Sequence, residues 1–125
     1  MERPDWDTYF IRIAKEVASR STCPRASVGA VIVKDNRILS TGYNGAPAGE
    51  PHCVDVGCLM ENDHCLRTIH AETNAIAFAA KYGISLDGAT MYVTDALGRK
   101  PTPVCHKCSQ LIKVAGIARV CERGL

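Results

Sequence analysis

Residues 70–82 read His-Ala-Glu-Thr-Asn-Ala-Ile-Ala-Phe-Ala-Ala-Lys-Tyr, and residues 105–115 read Cys-His-Lys-Cys-Ser-Gln-Leu-Ile-Lys-Val-Ala, followed by Gly116. The first run is strongly helical, and the second is a helix that the glycine stops. Side chains two apart on a regular helix do not share a face. His70 and Glu72 therefore converge only at the helix entry, where the first residue still stands outside helical geometry. Cys105 and Cys108 are three apart and do share a face. One imidazole and two thiolates make a three-ligand set that leaves the fourth tetrahedral position of a zinc ion open to water. Glu72, beside that position and not itself a ligand, is placed to carry protons. A lone C-x-x-C would fit a redox pair or half of a structural zinc site equally well, and H-x-E alone is commonplace. Together, each opening a helix and with a strand predicted at 89–94 between them, they point to catalytic zinc at His70, Cys105 and Cys108.

Working outward, Val28-Gly29-Ala30-Val31-Ile32-Val33 is continuously apolar and mostly β-branched, as in a strand buried on both faces. Lys34-Asp35-Asn36 supplies a turn, and Arg37 to Tyr43 returns as the second strand of a hairpin. Ahead of it, residues 5–20 predict a helix with Asp5 as N-cap. Trp6, Tyr9, Phe10, Ile13 and Val17 recur there at helical period, and the plain expectation is that this aromatic stripe packs in the core. A last short strand is expected at 117–121. The element order is then αββαβαβ. A hairpin followed by two crossovers gives a single α/β domain over residues 1–125, a three-layer sandwich of a mixed sheet with helices on both faces. The chain shows no internal repeats, low-complexity tracts or linkers.

Residues 44–69 carry no period of either kind, and an irregular stretch of that length is uncommon in a small domain unless it is functional or tied down. It holds His52, Cys53, Cys58, His64 and Cys65, with Cys23 just before the first strand. Buried thiols would account for them singly. So many in one segment favour a second zinc site, with ligands from Cys23, Cys53, Cys58 and one of His64 and Cys65, the latter preferred because adjacent residues seldom point at one ion.

Composition bounds the rest. With 125 residues and 46% hydrophobic content, the chain has enough material for one core. A net charge of +2 is too small to argue for nucleic-acid or membrane-surface binding. No apolar run approaches the roughly 20 residues that span a bilayer. The acidic, apolar-poor start, Met1-Glu2-Arg3-Pro4-Asp5, does not read as a signal peptide. A cytoplasmic location is expected, where seven cysteines read as metal ligands and free thiols more readily than as disulfides.

The H-x-E and C-x-x-C pair matches the signature of zinc-dependent nucleobase deaminases. Arg20-Ser21-Thr22-Cys23-Pro24, Gly42-Tyr43-Asn44-Gly45, His64 through Glu72 and Met91-Tyr92-Val93-Thr94 extend the match over nearly the whole chain. Together they resemble the deoxycytidylate (dCMP) deaminases of bacterial and phage type, within the cytidine-deaminase superfamily. That resemblance implies a cytosine nucleotide substrate, with Asn44 on the deoxyribose and Ala71 among the substrate contacts. It also implies a second zinc near Cys23, a homo-oligomer (dimer or hexamer), and control by dCTP and dTTP. Two features depart from the pattern. Val104, not proline, precedes Cys105, at the end of a longer connecting loop from Asp95. The chain also stops after its fourth strand, so a sheet edge is expected to need cover from a partner subunit.

Under this reading Glu72 takes a proton from the attacking water and passes protons to N3 and the leaving amine of cytosine, with attack at C4. Arg25 and Arg67 flank the motifs and are candidate ligands for a 5′-phosphate, Lys81 a weaker one; a solvated surface role fits any one of them as well. Two rivals differ in kind. One keeps the chemistry with another nucleoside, base or modified nucleotide as substrate. The other is a non-catalytic zinc-stabilised module that binds nucleotides, which would have no need of an acid at Glu72.

Overall fold

In a computed structural model, which describes residues 2–23, 26–47, 49–61, 64–65, 69–99 and 104–125 (His64 and Cys65 without their side chains), the sheet is built around strand β1, Val28–Lys34. Val31 and Val33 point to one face of it, and Ala30 and Ile32 to the other. All four are buried, as a doubly covered strand requires. Strand β2, Arg37–Tyr43, pairs antiparallel with it through a two-residue turn at Asp35 and Asn36. Both turn residues have positive φ (53° and 58°), the pairing that suits the right-handed twist of a hairpin.

Helix α1, Trp6–Ala18, is capped by Asp5, whose side chain accepts from the Thr8 amide at 2.7 Å. The predicted stripe is only partly its buried face: Phe10 lies in the core and Ile13 and Val17 pack against it, but Trp6 and Tyr9 do not. Phe10, Ile11, Ala14 and Ala18 are buried, whereas Trp6 and Tyr9 are 51% and 43% exposed, and Ile13 and Val17 are half-buried. The reason is close approach: a β-carbon on Gly29 of β1 would collide with the Ala14 carbonyl and the Ala18 backbone. Only small residues fit that contact, so alanines mark the interface and two of the aromatics turn outward.

The expected irregular stretch contains only fragments of regular structure among its described residues. There is one helical turn, α2 (Cys53–Val56), and a two-residue pairing of β3 (Met60–Glu61) with β4 (His64–Cys65). An isolated bridge joins Gly45 to Ile69. Helix α3, Ala71–Lys81, then crosses the opposite face of the sheet from α1. Strand β5, Thr90–Asp95, pairs antiparallel with β1. After helix α4, His106–Val114, strand β6, Arg119–Glu122, pairs parallel with β5. The four-stranded order is β2-β1-β5-β6. The expected three-layer α/β architecture is therefore present, with α1 on one face and α3 and α4 on the other.

This topology positions the site. Strands β2 and β5 are both antiparallel to β1, so they run in the same direction. Helix α3 follows β2, and α4 follows β5. Both helices therefore begin at the same end of the sheet, beyond the carboxyl ends of the strands, where ligand sites of open α/β sheets form. Among the described residues, no helix is long and apolar enough to cross a membrane.

Candidate metal centre

His70 and Cys105 are the N-caps of α3 and α4. Both have extended backbones (φ −64°, ψ 151° and φ −64°, ψ 159°) just before the helical turn begins. That extended geometry lets each side chain fold back over its own helix start. The Nδ1 atom of His70 lies 3.3 Å from the Cys105 sulfur and 3.4 Å from the Cys108 sulfur. All three donor atoms fall within 4.8 Å of one another, the only such group of three among the described residues.

The donor set fits zinc. Bonds of about 2.3 Å to sulfur and 2.0 Å to nitrogen at a tetrahedral centre put N and S roughly 3.5 Å apart, close to the separations found. Three ligands leave one position, and it has access: His70 is exposed, Cys105 half-buried and Cys108 buried. Both helix N-termini bring their positive dipole ends to the centre, which favours thiolates there. The Cys108 amide donates to the Cys105 sulfur at 3.4 Å.

Glu72 stands two residues into the same helix and is only 8% exposed. Burial pushes its carboxyl pKa up; a backbone hydrogen bond and the neighbouring His70 pull it back in part, and the Glu122 carboxylate adds to the rise. A carboxyl shifted upward in this way holds a proton more readily than a free one, as a group that accepts and returns protons requires.

The surrounding framework is hydrogen-bonded. Asn44 is buried, its Oδ1 accepting from the Val28 amide at 2.8 Å and its Nδ2 donating to the Ala26 carbonyl at 2.7 Å. Next to it, Gly45 exchanges two backbone hydrogen bonds with Ile69, the residue before His70. Ala71 is buried in the core beneath the helix start.

Lys81 lies at the far end of α3, about 15 Å along the axis from the helix start at 1.5 Å per residue, and its ammonium sits over the Tyr82 ring. That placement removes it as a phosphate ligand at this centre. Arg25 and Arg67 lie outside the described residues, as do residues 100–103 of the connecting loop and the side chains of His64 and Cys65.

Three residues that sequence reasoning passed over also serve the centre. The Thr73 hydroxyl is 3.2 Å from the Cys108 sulfur. Asn74 Nδ2 donates to the Tyr43 carbonyl at 2.8 Å, tying α3 to the end of β2. Glu122 accepts from the amide of Val104, the residue before Cys105, at 3.2 Å. A polar, β-branched Thr73 within an alanine-rich helix is the one local signal that could have drawn attention.

Comparison with known proteins agrees with this geometry. The family model of the cytidine and deoxycytidylate deaminase zinc-binding region matches residues 4–122. The chain is 51% identical over 120 residues to ComE operon protein 2 of Bacillus subtilis (96% of this chain, 60% of that protein's length). It is 43% identical over 132 residues to the deoxycytidylate deaminase of Mycobacterium phage D29 (96% of this chain, 95% of that one). The solved structure of dCMP deaminase from cyanophage S-TIM5, in complex with dCMP and dUMP, superposes with a TM-score of 0.75 at 30% identity, over 96% of this chain and 82% of that one. The zinc-ligand pattern at paired helix starts and a family match running almost end to end lead to one assignment: the chain belongs to the cytidine and deoxycytidylate deaminase family.

Proposed function

We propose that the chain hydrolytically deaminates dCMP, giving dUMP and ammonia, with His70, Cys105 and Cys108 holding zinc. The observation that carries this reading is the buried Glu72 carboxyl two residues from a His70 whose Nδ1 meets the Cys105 and Cys108 sulfurs. Zinc, when bound, supplies a Lewis acid that makes water nucleophilic near neutral pH. Glu72 accepts the proton that water gives up and returns protons to N3 and the exocyclic amine of cytosine. One water is consumed at C4 and one ammonia leaves.

The nucleotide is held by groups around this centre. Asn44 spends one lone pair and one N–H on the backbone. An amide offers more of each, which supports its use on the deoxyribose hydroxyl. Ala71, at the start of α3 beside the centre, is assigned to the pyrimidine. Arg25 and Arg67 are assigned to the 5′-phosphate, as forked guanidinium donors.

A second zinc, tying down the segment that leads to His70, completes the reading. The Thr22 carbonyl accepts from the Val54 amide at 3.1 Å, and the Thr22 hydroxyl meets His52 Nδ1 at 3.1 Å. These bonds draw the chain at Cys23 towards the chain at Cys53, and β3–β4 pairing draws Cys65 back beside Met60. They support Cys23, Cys53 and Cys65 as ligands; Cys58 is assigned as the remaining one, with His64 as the alternative to Cys65. The edge position of β6 among the described residues and the outward Trp6 and Tyr9 support a homo-oligomer. dCTP and dTTP are the effectors to assay first. Thiolate ligands suit a reducing, cytoplasmic setting.

The test is a panel of cytosine, cytidine, deoxycytidine, CMP and dCMP, followed by ultraviolet absorbance and ammonia release. The reading expects dCMP to be turned over with the highest kcat/KM. Deamination of deoxycytidine as efficiently as dCMP would remove the phosphate from substrate recognition. No deamination of any of the five by zinc-loaded protein would favour the non-catalytic module.

A further inference from the structure

The two cysteines at the centre do not receive their hydrogen bonds from the same source. The Cys105 sulfur takes the backbone amide of Cys108, a bond that any N-capping cysteine at this position would make. The Cys108 sulfur is met at 3.2 Å by the hydroxyl of Thr73, a side chain from the other helix. Thr73 is the third helical residue of α3 and Cys108 the third of α4, so the contact spans the two helix starts just below the ligand atoms. A thiolate has no proton to give. With zinc on Cys108, the Thr73 oxygen must be the donor, and the hydroxyl offsets charge on that sulfur.

We infer that Thr73 is a positioning residue for the metal centre: its hydroxyl donates to the Cys108 thiolate, fixing that ligand's orientation and lowering its electron donation to the metal. This rests on the assignment of the metal to His70, Cys105 and Cys108. Groups that hydrogen-bond to a metal's ligands orient them and tune the metal, and losing one costs about 10–100-fold in metal affinity or activity. Thr73 acts from an adjacent helix, so it can be removed without touching either zinc motif. Threonine and valine have nearly the same shape and similar helix propensity, so Thr73→Val deletes the donor and little else.

The experiment uses purified full-length chain with cobalt(II) in place of zinc, read by the part of the sulfur-to-cobalt charge-transfer absorption that Cys108→Ser removes, so that thiolates of the proposed second site do not contribute. A thiolate stripped of a hydrogen bond gives up charge more easily. Thr73→Val should therefore shift the band to lower energy and release metal to a chelator about 10–100-fold more readily. Thr73→Ser, which keeps the hydroxyl, should behave as wild type on both counts. An unshifted band in cobalt-loaded Thr73→Val would overturn the inference, and so would an equal shift in Thr73→Val and Thr73→Ser. If Thr73→Val is not recovered folded, Thr73→Ala carries the same comparison. A charge-transfer spectrum that Cys108→Ser leaves unchanged would instead strike at the metal assignment itself.

Discussion

The carbonyl oxygen of Ala71 lies 2.5 Å from where a β-carbon on Gly42 would stand, and the Ala75 amide lies equally close. The first turn of α3, which carries His70 and Glu72 into the site, is thus seated directly on the backbone of β2. Ser40, two residues earlier, fastens the same contact by donating to the Ala75 carbonyl at 2.7 Å.

Gly42→Ala should push α3 off the strand. The obstructing atoms are backbone and cannot rotate away, so a loss of about 1–3 kcal/mol is expected, the usual range for overpacking. Metal binding and turnover should fall with it. Gly29→Ala makes the same kind of collision with α1 on the other face and should lower stability while disturbing the metal far less. Thermal melts with zinc titrations on both variants would check this. Equal loss of metal affinity in the two would contradict it.

Across the sheet from the metal, Asp7 joins α1 to β6. Arg119 grips its carboxylate with two hydrogen bonds of 3.0 and 2.6 Å, and the Tyr92 hydroxyl donates at 2.7 Å. The Arg119 bonds first, then Tyr92, bring the Asp7 pKa down to about 2. A carboxyl depressed on folding contributes stability that is fully present above its unfolded pKa and fades as pH falls through the folded one. The stability gap between wild type and Asp7→Asn should therefore hold at pH 5 and close between about pH 4 and pH 2. The pair is partly solvent-exposed, so that gap should be no more than about 1 kcal/mol. Denaturant melts at several pH values would reveal it, and a gap that widened towards pH 2 would speak against this network.

The proposed second zinc predicts two metal equivalents per folded chain. Structural zinc contributes directly to folding free energy, on the order of 10 kcal/mol of apparent binding. Cys53→Ser should lose one equivalent together with solubility or thermal stability. Cys121→Ser, altered at a thiol on β6 outside both ligand sets, should keep two. Elemental analysis that finds one zinc in folded wild type rejects the second site.

For the phosphate, Arg67→Ala should impair dCMP turnover much more than deoxycytidine turnover. Removing one partner of a buried, charge-assisted pair costs roughly 2–5 kcal/mol, about a hundredfold or more in kcat/KM at about 1.4 kcal/mol per decade. Steady-state kinetics on both substrates would measure it. A parallel loss on both would assign Arg67 to structure and not to phosphate.

Legibility in the sequence followed the range of the forces involved. The N-caps at His70 and Cys105, the two-faced β1 and the Asp35-Asn36 turn are local, and local chemistry announces them. The orientation of α1 was not legible, because weighting by hydrophobicity favours Trp6 and Tyr9 over Ala14 and Ala18. The close packing that Gly29 permits rewards small residues, so the aromatics mislead. Asp7 and Arg119, or Thr73 and Cys108, meet only after the chain has folded, and nothing in their spacing foretells it. Residues 44–69 escape a periodic reading because the regular structure among their described residues is a single helical turn, a two-residue pairing and one isolated bridge.

The central claim is that Glu72 moves the protons while His70, Cys105 and Cys108 hold the metal, and the direct measurement is turnover of dCMP by zinc-loaded Glu72→Gln beside its metal content. Glutamine keeps the size and polarity of the side chain but can no longer accept and return a proton. The variant should bind as much zinc as wild type, melt at a similar temperature, and lose about 10²–10⁴-fold or more in kcat. A fully loaded Glu72→Gln protein that deaminates dCMP at near wild-type rate would contradict the account.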